Sequence, residues 1–311
     1  MTLFRYLYAP AFAFVFLGLA FWLVALAGFS SVWLIPLLML ALATSFGAER
    51  ALPYEQDWNN AQGDVGSDVL HAAINEALNL LSVAAIPLAA ARLPWSGLWP
   101  THWPVGLQML LAILMADLGI TLMHYLSHRV PLLWRLHAVH HSRRRLYGLN
   151  GLMKHPLHQA LEAVAGTLPL LLLGMPQAIA ALLAFAVALQ LMLQHSNVDM
   201  RLGGLRHIFA WAPVHRFHHL RYGRAGDVNF GLFFTGWDRL LGTAFHRPDY
   251  RVDGADLGIG SQPDYPQAYL AQLREPFVPT APSGPSPRPP AGLSVRSGAL
   301  SPADGPADGA T

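Results

Sequence analysis

The sequence predicts an all-α membrane protein: about four transmembrane helices, a shorter apolar hairpin, and a cytoplasmic helical cap that carries a histidine cluster. Three observations predict it. Of 311 residues, 53% are apolar and only 12% charged, whereas a soluble domain carries about a quarter charged residues. The apolar residues fall in long blocks divided by short polar or turn-rich stretches. The 15 histidines are concentrated near the ends of those blocks. The net charge of +2 is too small to suggest nucleic acid as a partner. With no cysteine, disulfides, thiolate zinc sites and iron–sulfur clusters are excluded.

From Tyr6 to Ala48 no formally charged residue occurs, enough chain for two membrane helices. Their expected positions are 8–28 and 31–47, turning at "GFSS". Arg5 ahead of an apolar run imitates a secretory signal, but the run is too long and a second follows at once. Residues 1–48 thus read as a retained hairpin, and 49–272 as the main domain. Residues 49–69 are polar, acidic and turn-rich, and read as a loop. Apolar segments at about 71–91 and 105–124 follow, joined by "LPWSGLWPTHWP", whose three tryptophans suit an interfacial belt. The block 163–194 is broken by "GMPQ"; each half is short for a full crossing, which predicts a shallow or tilted hairpin.

Pairing the crossings leaves every charged loop on one side. Residues 125–158 carry Arg129, Arg135, Arg143, Arg144, Arg145 and Lys154 and no acid, so the positive-inside rule makes that side cytoplasmic. The Arg143–Arg145 run is expected to touch lipid headgroups. Residues 195–272 read as a compact cap. Residues 273–311, rich in Pro, Ala, Gly and Ser, cannot bury a core and are expected to be disordered.

The chemistry lies in three clusters: His124 and His128 in "HYLSH"; His137, His140 and His141 in "HAVHH"; His215, His218 and His219 in "HRFHH". Positions i, i+3 and i+4 share a helix face, so each cluster can aim two or three imidazoles at a common point. Eight imidazoles exceed what one ion takes and fit two metals with open positions; residue type alone does not choose among Fe, Zn, Cu and Ni. A single such histidine is more often solvated or bonded to a carbonyl, but three clusters at helical spacing beside apolar segments argue for function. His195 would be delivered to the same face by the last apolar block and is a further candidate ligand. His155 and His158 are possible ligands or supporting residues. His71, His102, His207 and His246 are isolated and read as ordinary.

Three acids lie inside apolar segments: Glu76, Asp117 and Glu162. Asp117 precedes His124 by seven residues and shares its face. It either orients a ligand imidazole or makes a helix-packing hydrogen bond. Neither H-E-x-x-H nor E-x-x-H nor G-x-G-x-x-G occurs, which disfavours a zincin, a carboxylate di-iron bundle and a nucleotide cofactor.

The order H-x-x-x-H, H-x-x-H-H, H-x-x-H-H resembles the fatty acid hydroxylase/sterol desaturase superfamily of integral-membrane non-haem di-iron enzymes. So do "ERALPYEQDW", "DLGITLMHYLSHRVPLLWRLHAVHHS" and "LQHSNVDMRLGGLRHIFAWAPVHRFHHLRYGRAGDVNFGLFFTGWDRLLGT". The likeness runs over roughly residues 49 to 245. It implies metal ligation by His124, His128, His137, His140, His141, His215, His218 and His219, with His195 a ninth. It implies two iron ions, dioxygen, a lipid substrate from the bilayer and a separate electron-donor reductase, and hydroxylation or desaturation of an unactivated C–H. No catalytic residue is implied beyond the ligands, and Asn229, Trp237 and Asp238 read as structural. Where the family usually has His-Pro-x-Glu this chain has "HPLH", so His158 replaces a carboxylate. A bacterial inner membrane is the expected location. The rivals are a membrane metal transporter, a bis-histidine cytochrome and a di-zinc hydrolase. The transporter would want ionisable residues spread across the bilayer.

Overall fold

A computed structural model describes residues 2–90, 92, 97–279, 284–290 and 293. Among them the chain is helical, with three isolated β-bridges and no strand. Seven helices build the body: α1 (Thr2–Phe21), α2 (Leu34–Ala51), α3 (Val65–Ala90), α4 (Val105–Ser127), α5 (Pro131–His141), α6 (Pro156–Leu172) and α7 (Gln177–His195). Five helical stretches are long and apolar enough to cross a membrane: Thr2–Leu26, Ser31–Ala51, Val65–Ile86, Val105–Ser127 and Gln177–His195.

The five spanning stretches and α6 follow one another as three pairs, α1–α2, α3–α4 and α6–α7, whose open ends meet the cap. The N-terminus is held there by Arg5, which pairs with Asp199 at 3.0 Å. This anchor starts α1 at Thr2, ahead of the predicted residue 8. Glu49, read as loop, is the buried last turn of α2, because its Oε1 accepts the Gly148 and Asn197 amide hydrogens at 2.7 and 3.1 Å. Asp68 lies inside α3 for the same reason: Arg143, Tyr147 and Asn150 satisfy its carboxylate. The predicted loop 49–69 therefore shrinks at both ends.

The hairpin at 163–194 also departs from expectation. Pro156 at the first turn and the His155 cap start α6 seven residues early, and Gly174, at φ +87°, makes the reversal. The second half, α7, has 19 residues. At ~1.5 Å per residue it matches the hydrocarbon thickness, so it is long enough to cross. It is also the central helix, buried among the others. The outer faces of α1 to α4 expose large apolar side chains, among them Phe4, Phe14, Leu40, Leu81 and Leu114, as lipid-facing helices do.

α4 and α6 cross closely. A Cβ on Gly119 would sit 2.1 Å from the Ala165 carbonyl oxygen, and one on Gly166 would sit 2.7 Å from Ile120; small residues permit such backbone approach in membranes. The cap is built from α5, a 3₁₀ segment at Gly148–Leu152, α8 (Ala212–His215) continued as a 3₁₀ turn through His219, α9 (Gly236–Leu241) and α10 (Tyr269–Arg274). Part of the 273–311 segment, and residues 93–96 of the tryptophan-rich link, lie outside the described residues. Within the tail, Leu293 is buried beside Trp58, Leu220 and Leu257.

Candidate metal centre

Nine imidazoles converge at the cap ends of α4, α5, α7 and α8, in two groups. His124, His128, His137, His141 and His218 form one; His140, His195, His215 and His219 form the other. Within each group one nitrogen per ring lies within 4.8 Å of all the rest. The repeated H-x-x-H-H spacing places the first and last histidines of a triplet, one helical turn apart, in the same group. The middle one joins the other. Thus His137 and His141 face His218, while His215 and His219 face His140. Each triplet contributes to both groups, and the two contribute in opposite senses.

Hydrogen bonds fix the tautomers. His124 and His218 each donate Nδ1–H to a carbonyl, that of Phe230 at 2.9 Å and of Val228 at 2.8 Å. A neutral imidazole that donates from Nδ1 keeps only a lone pair on Nε2. Yet those two Nε2 atoms stand 2.8 Å apart. In the second group His140 and His195 donate Nδ1–H to Met153 and Leu191 at 3.0 and 2.8 Å, and their Nε2 atoms stand 3.1 Å apart. The buried Nε2 atoms of His128 and His215 have no hydrogen-bond partner. Protonation does not resolve the opposition: burial, and then the charge on neighbouring histidines, hold His140 and His218 well below the usual imidazole pKa. Lone pairs aimed at one another in a dry site fit a shared cation, and carbonyl-anchored imidazoles are how metal-binding histidines are oriented. The donor set fits two metal ions.

The remaining candidates take other roles. Asp117 does not reach an imidazole. Its carboxylate accepts the Phe233 and Phe234 amide hydrogens at 2.8 and 3.2 Å and the Trp237 indole N–H at 2.8 Å, so of its two readings the packing bond is the observed one. His155 caps α6 by accepting the Leu157 amide hydrogen and lies outside both groups. His158 is also outside them, with Nε2 2.9 Å from Ser127 Oγ and its ring 4.5 Å from that of His137. Glu162, one turn beyond His158, receives Lys154 at 2.5 Å. Asp238 accepts the Phe230 and Gly231 amide hydrogens, and Asn229, at φ +55°, ties Val214 to Phe245; both shape the loop that presents the Phe230 carbonyl to His124. His71 is braced between the Lys154 carbonyl and Gln272.

A family model described as fatty acid hydroxylase matches residues 109–243. Over 238 residues, 74% of this chain and 71% of the relative, the sequence is 34% identical to the ornithine lipid hydroxylase OlsE of Rhizobium tropici. The chain belongs to the fatty acid hydroxylase/sterol desaturase superfamily. Other members resemble this hydroxylase-family chain over shorter stretches. The alkylglycerol monooxygenase of Danio rerio is 31% identical over 55% of the chain and 36% of its own length, and methylsterol monooxygenase 1 of Rattus norvegicus 28% identical over 45% and 47%. No solved structure matches. The protein is a multi-pass membrane oxidoreductase acting on lipids.

In this member of the superfamily the arginine run is not a headgroup contact. Arg143 and Arg145 are buried, bound to Asp68 and Asp64, and only Arg144 is exposed. The acids of "GDVGSD" supplied the partners, a complementarity of charge between two segments that sequence reading left unpaired. Also absent from the sequence reading is an apolar groove of about 1140 Å³ between α2, α3 and α7. None of the nine histidines lines it; the segment Gly148–Leu152 stands between. Leu149 and Leu152 face the groove, while a Cβ on Gly151 would lie 2.9 Å from His195 Nδ1. A smaller recess of about 330 Å³ opens on His128, His141 and His218 from the far side of the cap.

Proposed function

We propose that this protein hydroxylates a bilayer lipid at an unactivated C–H, using dioxygen, two iron ions and electrons from a separate reductase. The observation that carries the reading is the pair of lone-pair oppositions, His124 against His218 and His140 against His195. In the proposal His124, His128, His137, His141 and His218 hold one ion, and His140, His195, His215 and His219 hold the other. The relatives, named as hydroxylases and monooxygenases of lipids, support oxygenation, and membership of the superfamily with its histidine clusters supports iron.

The overall change is R–H + O₂ + 2 e⁻ + 2 H⁺ → R–OH + H₂O. Iron, when bound, supplies the reduction of dioxygen and the oxidation of the C–H bond. The chain supplies the rest. The carbonyls of Phe230, Val228, Met153 and Leu191 hold four ring planes so that their Nε2 lone pairs converge. Burial of eight of the nine histidines limits water at the site, which the recess reaches only beside His128, His141 and His218. Asp117 and Asp238 fix the 230–237 loop against α4. The six cations and no acids of residues 125–158 support a cytoplasmic cap, where a soluble donor could dock.

Metal analysis of the purified protein tests the assignment. Two iron ions per chain are expected, falling to one or none in His218→Ala and His140→Ala. Lipids extracted after turnover under ¹⁸O₂ should gain one labelled oxygen; loss of two hydrogens without label would mean desaturation. A protein that holds zinc and forms product without oxygen would overturn the reading.

A further inference from the structure

Of the three acids inside apolar segments, two are accounted for. The Asp117 carboxylate is satisfied by three N–H donors, and Glu162 is paired with Lys154. Glu76 is not. It lies on α3 and lines the groove between α2, α3 and α7. Its Oε1 accepts one hydrogen bond, from Asn79 Nδ2 at 3.3 Å, and Asn79 is in turn held by Gln159. Among the described residues no cation forms an ion pair with it. The nearby Lys154 amine is taken by Glu162, Arg145 at the cap end is bound to Asp64, and exposed Arg50 reaches the Phe46 carbonyl. A carboxylate on a spanning helix with no counter-charge is costly unless a ligand provides one.

The groove has the shape for such a ligand. Its volume exceeds that of ordinary drug-sized pockets and suits an acyl lipid. Leu38, Leu80, Val83 and Ala181 continue its apolar wall away from the cap. Glu76 sits where that apolar wall meets the part of the groove nearer the cap, which Val65, Val69, Trp58 and Arg145 line, and the neighbouring Asn75 donates to the Leu152 and Lys154 carbonyls of the cap floor. A lipid with its chains along the wall would bring its headgroup to Glu76, beside the segment that divides the groove from the histidines.

We propose that this groove is the lipid site and that the Glu76 carboxylate receives a primary ammonium group of the headgroup, so that the protein selects amine-bearing lipids. The inference rests on the reading of the protein as a lipid hydroxylase, and deepens it by naming the class of headgroup.

The test uses the full chain, metal-loaded, in nanodiscs of phosphatidylcholine. Binding of an N-acyl ornithine lipid with a free side-chain amine is measured by native mass spectrometry against the same lipid with that amine acetylated. The wild type is expected to bind the free amine at least tenfold more tightly. Glu76→Gln keeps the size of the side chain and should erase that preference with metal content unchanged, and Glu76→Asp should restore part of it. Equal binding of the two lipids by the wild type overturns the inference, as does a preference that survives Glu76→Gln. If the Gln variant fails to fold, the comparison within the wild type decides alone. An oxygen-dependent product formed from both lipids equally would remove this inference and leave the hydroxylase; amine preference with no product, in protein given reductant and dioxygen, would do the reverse.

Discussion

His140 and His141 are neighbours in sequence and belong to different groups. The spacing announced that these residues bind something, because i and i+4 always share a face. It did not announce the division, because position i+3 lies between two targets and only the facing helix decides which one it serves. His195 was legible from its place at the end of an apolar block, yet nothing local told it from His155, whose ring closes a helix end instead. Asp117 was legible as significant and ambiguous as to role, since its partners are backbone amides 116 and 117 residues away. Asp117→Ala would leave those buried N–H groups unpaired at ~1–3 kcal/mol each. Thermal unfolding in detergent should move down accordingly, and metal content should drop with the 230–237 loop that anchors His124.

At the scale of elements, the apolar blocks located the helices, and the errors fell at their ends. Glu49 and Asp68 looked like loop residues because their counter-groups, the Gly148 amide and Arg143, lie far along the chain; Asp64, which is a loop residue, likewise pairs with distant Arg145. Burial works to raise the Asp64 carboxyl, but two hydrogen bonds and the charge of Arg145 outweigh it and hold its pKa below the ordinary value. A depressed folded pKa gives stability that is present above the unfolded value of ~3.9 and lost as the pH falls through the folded one. The gap in melting temperature between wild type and Asp64→Asn should therefore be flat above about pH 5 and narrow in stronger acid. The α4–α6 crossing makes a second demand. Gly119→Val would drive a side chain into the Ala165 carbonyl and displace the helix that bears His124 and His128. Iron content should fall by half or more, whereas Gly47→Ala, where a Cβ meets nothing within 4 Å, should leave it unchanged.

For the whole molecule, composition and pairing of crossings predicted the charged loops on one side; Arg5–Asp199 holds the N-terminus at the cap side, whereas Arg92 lies past the opposite end of α3. The absence of cysteine makes the orientation measurable. A single cysteine at exposed Arg224 should react with a membrane-impermeant maleimide in inverted inner-membrane vesicles and resist it in intact spheroplasts. The opposite pattern would reverse the proposed topology. What sequence could not reveal was the groove, because a hollow belongs to the spacing between helices and has no residue pattern of its own.

The strip from Gly148 to Leu152 is a partition one short turn thick, with leucines on one side and imidazoles on the other. Gly151 lets this strip lie close against α7, where a Cβ would meet the Leu191 carbonyl oxygen at 2.2 Å. With the polar end caught at Glu76 and the chains running away from the cap, the part of the molecule held against this partition is its headgroup side, so the atom that is marked would follow from how that end is seated. Trimming Leu152 to Ala should change which atom on the headgroup side is marked without weakening the grip on the chains.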